Sequence, residues 1–192
     1  MVGMARGELM RTQVAAAILD AAATVIAERG DSASMADVAD AAGVGRATLY
    51  RYFDSRDHLL RALSSLAVDD AELRLVQAEL NQIPVAQALE RATRALLSTG
   101  LKFSVITDDR RYVDRDELQS RIGGRILAIF VRGIADGTFR ADLPAEVLGR
   151  LWGGMVEATL RSFVRFDQSI EGASASITEV FLEGARQHAA LS

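Results

Sequence analysis

The chain has 192 residues, 49% of them apolar and 25% charged, which is enough to bury a sizeable core and excludes a disordered composition. It contains no cysteine, which excludes disulfides, thiolate metal sites and cysteine nucleophiles, and His58 and His188 lie too far apart in sequence to suggest a metal pair. With 22 basic against 26 acidic residues the net charge is −4, so any site for a polyanion must be local.

Two prolines suit a helical chain, and no segment reads as a strand; the expected fold is all-α with about nine helices. The first helix is predicted over Arg11 to Arg29 and stopped by Gly30, with Val14, Ile18, Ala21, Ala22, Val25 and Ile26 on one stripe. Asp20 and Thr24 interrupt its apolar run, so it reads as a core helix rather than a secretory segment. No stretch reads as approaching the roughly 20 apolar residues of a membrane span, and a cytoplasmic location is expected. Ser34-x-x-Asp37 resembles a capping box and opens a short helix to Ala41, with Met35, Val38 and Ala39 inward. Gly43 supplies a turn, and a second short helix covers Arg46 to Tyr52. Ser55 caps a long helix predicted to Leu80, whose inward residues would be Leu59, Leu60, Leu63, Leu66, Leu73 and Val76.

Pro84 opens the next helix, carrying Val85, Ala88, Leu89, Ala92 and Leu96 and ending near Gly100. Asp108 to Asp116 reads as a charged loop. Another helix is predicted over Glu117 to Ala135 despite Gly123 and Gly124 inside it. Pro144 marks the start of a helix reaching Phe166, and Gly172 and Ser174 separate it from a last helix, Ala175 to Ala189. This order suggests two domains, residues 1–62 and 63–192.

The informative stretch is ADVADAAGVGRATLYRYF, residues 36–53. Two seven-residue helices are joined by Gly43 and Val44, and glycine suits the left-handed backbone of a tight turn. This is the pattern of a helix-turn-helix, whose second helix enters the DNA major groove. On that helix Leu49 and Phe53 share one face and should pack inward. The outward face presents Arg46, Thr48, Tyr50 and Arg51: arginine can read guanine, a threonine methyl can meet a thymine methyl, and a tyrosine hydroxyl suits phosphate. Residues 1–62 carry seven Arg and eight acidic residues, yet Gly43 to Arg61 holds four Arg against two Asp, a local basic stripe.

The run from Ile18 through Leu63 resembles the N-terminal domain of TetR-family transcriptional regulators, and GVGRATLYRYFDSRDHLL is similar to that family's most recognisable segment. The later helices match in number and length, together with DGTFRADLPAE before the helix opening at Pro144. The resemblance implies a homodimer gripping two half-sites of double-stranded DNA, a C-terminal body that binds a small effector, and a dimer interface on the last two helices. By position it implies DNA contacts from Arg46, Ala47, Thr48, Tyr50, Arg51 and Tyr52, with Arg56 on phosphate. Gly45 departs from the family's frequent polar residue, and Arg56 stands where lysine is usual.

For an effector cavity the candidates are Phe103, Phe130, Trp152, Met155 and Thr159, although for each aromatic the core, and for Thr159 a solvated position, is the favoured reading. For the dimer they are Leu148, Trp152, Met155, Val156, Leu160, Ile177, Val180 and Phe181. Residues 63–192 hold 15 basic and 18 acidic groups, which favours a mostly apolar effector over a large anion. The expected function is a ligand-responsive, DNA-binding transcriptional regulator, a repressor released by that effector, with no cofactor and no metal. Two other classes compete. One is a helical oligomerisation or adaptor protein whose helix-turn-helix no longer reads DNA. The other is an all-helical enzyme, for which no Ser–His–acid arrangement is found.

Overall fold

The structure is a computed structural model that describes residues 2–102, 112, 114–166 and 169–186, with side chains over 9–100, 112, 114, 116–160 and 169–186. The described residues are helical, with one isolated bridge between Phe139 and Arg186 and no strand. They group into two compact units: the first runs to Leu66 and includes Tyr112, and the second comprises Ala67–Leu101 and the residues from Asp114 onward.

The first unit begins with α1 (Val2–Arg29), which starts nine residues earlier than its apolar stripe predicts. Ile18, Ala22, Val25 and Ile26 are buried, and Val14 and Ala21 half-buried. Within the helical segment Leu9–Ser32 an 18-residue window reaches a mean hydropathy of 1.4, long and apolar enough for a membrane span by length and composition, which corrects the expectation that no stretch comes near one. Alanines raise that average; the helix packs against α2, as a core helix does. Ser34 and Asp37 form the predicted capping box at the head of α2 (Met35–Ala41): Ser34 Oγ accepts from the Asp37 N–H, and Asp37 accepts from the Ser34 N–H at 2.9 Å. Then come α3 (Arg46–Tyr52) and α4 (Arg56–Gln77).

Residues of α4 belong to both units. It ends three residues short of the predicted boundary, and Leu80–Gln82 form a separate 3-10 turn. The predicted stripe holds at Leu59, Leu60 and Leu63, but Leu66 is only half-buried, and Leu73 and Val76 are 56% and 47% exposed. From Leu60 the buried line is instead Ser64, Val68, Ala71 and Leu75. Both lines keep helical spacing, and only the neighbours choose between them.

The second unit continues with α5 (Val85–Lys102) and α6 (Arg115–Leu118). A five-residue π-turn, Gln119–Gly123, then leads into α7 (Gly124–Ala135). The paired glycines thus mark a widened turn inside what reads as one helix. Arg121, in that turn, binds Asp69 and Glu72 of α4, both at 2.6 Å, and Glu117 at 2.9 Å, which holds its guanidinium well above its ordinary pKa. Last come α8 (Ala145–Phe166), packed on α7, and α9 (Ile170–Ala185), packed on α8. The α9 helix starts five residues before its predicted origin. Ser169 Oγ caps it by accepting from Gly172 N–H at 3.0 Å, and buried Ser174 donates to the Glu90 carbonyl at 3.1 Å. Small polar residues that suggest a loop are therefore a cap and a packing contact.

Candidate functional site

In the turn between α2 and α3, Gly43 adopts φ +66, a left-handed conformation that costs a side-chain-bearing residue and is free to glycine. Val44 N–H donates back to the Ala39 carbonyl at 3.0 Å, closing the turn against a residue with no exposure. Gly45 stands at the N-cap of α3 without a side-chain cap. Leu49 is fully buried and Phe53 nearly so, which fixes the rotation of α3.

That rotation sends Arg46, Ala47, Tyr50 and Arg51 outward, all exposed, with Thr48 and Tyr52 half-buried at the edges. The Arg51 guanidinium lies 5.5 Å from the centre of the Tyr52 ring, a cation–π contact that tethers both side chains. The surface of α3 is thus one cationic, hydroxyl-bearing face with no acidic residue on the helix.

Arg56 is placed differently from the phosphate role implied for it. It is half-buried, and its Nη1 donates to the Ala33 carbonyl, joining the start of α4 to the residue before the α2 cap. Beside it, Arg29 Nη1 binds Asp37 Oδ1 at 2.7 Å, so the capping carboxylate also ties α2 to the end of α1. The Ser34 hydroxyl and amide, and then Arg29, hold Asp37 below the usual carboxylate range. Sequence reasoning found the cap but not these two arginine struts, because neither follows from spacing along one helix.

In the second unit, the effector candidates separate. Phe130 has no exposure and Trp152 is 2% exposed. Phe130 contacts Phe139, Trp152 and Phe181 with ring centres 5.5, 6.0 and 5.8 Å apart. The Trp152 indole donates to Thr93 Oγ1 at 3.1 Å, and Thr93 donates to the Leu89 carbonyl at 2.8 Å. These aromatics fill a core. Met155 and Thr159 are half-buried, and Phe103 lies outside the described residues.

The dimer candidates separate as well. Leu148, Trp152, Val156, Leu160, Ile177 and Phe181 are buried within the single chain, so their area is already covered. Met155 is half-buried, and Val180, at 63% exposed, faces outward. Leu151 of α8, 56% exposed, also faces outward. A Cβ on Gly153, Gly154 or Gly184 would meet nothing within 4 Å, so the described residues of the protomer give no packing reason for these glycines.

The sequence profile of bacterial regulatory proteins of the tetR family matches residues 18–63. The chain is 40% identical over 90 residues to the HTH-type transcriptional repressor LfrR of Mycolicibacterium smegmatis, an alignment covering 47% of each chain, about half the length of that relative. It is 28% identical over 145 residues to the HTH-type transcriptional repressor KstR2 of Rhodococcus jostii, covering 69% of this chain and 71% of that one. Among solved structures, LfrR from Mycobacterium smegmatis in complex with proflavine aligns with a TM-score of 0.72 and 26% identity, over 92% of this chain and 99% of that one. Profile, relatives and fold agree: residues 18–63 match the N-terminal profile of the tetR family, and the chain as a whole is similar to TetR-like transcriptional regulators.

Proposed function

We propose that this protein is a ligand-responsive transcriptional repressor that binds operator DNA as a homodimer through α3. The observation that carries the reading is the division of α3. Leu49 and Phe53 are buried on one side, and Arg46, Ala47, Tyr50 and Arg51 are exposed on the other, at the outlet of a glycine turn. Arg46 and Arg51 read base edges, Tyr50 and Tyr52 meet phosphates, and Ala47 and Thr48 give apolar contacts near the helix start. The helices of residues 63–192 form the effector-binding and dimerisation part, and residues 1–62 the DNA-binding part.

The repressor names of LfrR and KstR2 support the sign of regulation, and the proflavine bound by LfrR supports a flat aromatic effector. Because Phe130 and Trp152 are committed to the core, Met155 and Thr159, both half-buried, are the effector candidates that remain among the described residues. It acts only if its affinity differs between the DNA-binding and released arrangements. The α4 helix, with residues in both units, is one covalent route between them. Leu151 of α8 and Val180 of α9 supply the exposed apolar surface for the dimer, an isologous contact.

Fluorescence anisotropy with DNA from upstream of the protein's own gene tests the reading. Sequence-specific binding to a palindromic site, weakened by Arg46→Ala and by Arg51→Ala, supports it. Unchanged affinity and footprint after removing both arginines would sink it.

A further inference from the structure

Within the second unit, the end of α4, the turn that follows it and the start of α7 line a half-open cleft of about 510 Å³. That volume lies within the usual range for small-molecule sites. Buried Leu75 and Leu80 form its floor, and Val76, Gly124 and Ala128 its walls. Four polar side chains line it as well: Glu79, Asn81, Gln82 and Arg125.

Glu79 adopts φ 50 and ψ 43, the left-handed region, where glycine would be cheaper. The turn therefore holds a carboxylate at the rim at a conformational cost, and among the described residues that carboxylate pairs with nothing. Arg125 is equally available. Its ion pair among the described residues is with Glu72 at 3.9 Å, and Glu72 is already held by Arg121 at 2.6 Å. The backbone near the end of α4 is otherwise engaged, since Arg91 donates to the Ala78 carbonyl at 3.2 Å and Arg132 to the Leu80 carbonyl at 2.8 Å. A Cβ on Gly124 would meet nothing within 4 Å, so the wall there is open.

We propose that this cleft binds a small zwitterion with an apolar body, a hydrophobic amino acid or dipeptide, its ammonium toward Glu79 and its carboxylate toward Arg125. A purely cationic ligand would face Arg125 without compensation, and a purely anionic one would face Glu79. The apolar floor selects against hydrophilic zwitterions, because Leu75 and Leu80 gain nothing from a polar body.

The test is calorimetric titration and thermal unfolding of the full chain with the dipeptide Leu-Phe. Binding should raise Tm by roughly 3–5 °C at about ten times Kd. Glu79→Gln and Arg125→Gln should each weaken binding about tenfold, the scale of one charge-assisted hydrogen bond. Ala128→Trp, which fills the cleft from an exposed position, should abolish it. The same dipeptide acetylated and amidated at its ends should bind at least about tenfold more weakly. No heat and no Tm shift at about 10 mM Leu-Phe overturns the proposal, as does equal binding by the blocked dipeptide or by Ala128→Trp. The titration uses DNA-free protein, so its failure and a failure of α3 to read DNA are separate results.

Discussion

The indole N–H of Trp152 donates to Thr93 Oγ1 at 3.1 Å, joining α8 to α5 inside a core where Thr93 has no exposure and Trp152 has 2%. The Thr93 hydroxyl in turn donates a hydrogen bond to the Leu89 carbonyl, so each of these polar hydrogens has a partner. Thr93→Val keeps the shape and removes the acceptor, leaving a buried donor without one. Urea unfolding should show a loss of about 1–3 kcal/mol. Combining it with Trp152→Phe should cost less than the sum of the two changes, because the orphaned donor is gone. Strict additivity would mean the bond contributes nothing.

Arg56 separates a structural role from a DNA role. Its donation to the Ala33 carbonyl makes it a strut, so Arg56→Ala should lower Tm by an amount corresponding to about 1 kcal/mol. The slope of log affinity against log salt should barely move. Arg51→Ala should do the reverse, leaving Tm nearly unchanged while weakening operator binding. A flattened salt slope for Arg56→Ala would restore the phosphate contact.

For the dimer, exposure decides which substitutions are informative. Leu151→Asp and Val180→Asp alter exposed side chains and should yield folded monomers in light scattering. Phe181→Asp places a charge beside Phe130 and Phe139 and should unfold the chain, as circular dichroism would report. An unchanged dimer in both surface variants would remove this face from the interface.

Glu79 should be improvable. With φ at 50, Glu79→Gly relieves left-handed strain and should raise stability by about 0.5–1 kcal/mol in urea unfolding, less the entropy that glycine adds to the unfolded chain. Glu79→Ala keeps the strain and should give no such gain.

Acid should loosen the α2 cap. Ser34 and then Arg29 depress the Asp37 pKa, so its contribution is fully present above the ordinary carboxylate value and disappears as pH falls through the depressed one. Asp37→Asn should therefore melt below the unaltered protein at neutral pH. The gap should close on acidification through and below the carboxylate range. A gap that persists in strong acid would show that charge is not what Asp37 supplies.

The helix-turn-helix was legible because its determinants are local. A serine cap and its carboxylate three residues on, a glycine turn and an apolar pair four residues apart fix α2 and α3 at the predicted boundaries, Met35–Ala41 and Arg46–Tyr52. Short-range hydrogen bonds and backbone preferences need no distant partner, so sequence alone carries them. Tertiary structure decided the rest. On α4, two apolar lines compete, and packing buries Val68, Ala71 and Leu75 while leaving Leu73 and Val76 in solvent. On α8 and α9, apolar residues outnumber one face, and only the closure of the core around Phe130 and Phe181 assigns Trp152 and Phe181 inward and Leu151 and Val180 outward. Arg56 behaves likewise, since Ala33 lies 23 residues away in sequence. Periodicity says which residues share a side of a helix; which side meets other helices is a property of the packed chain.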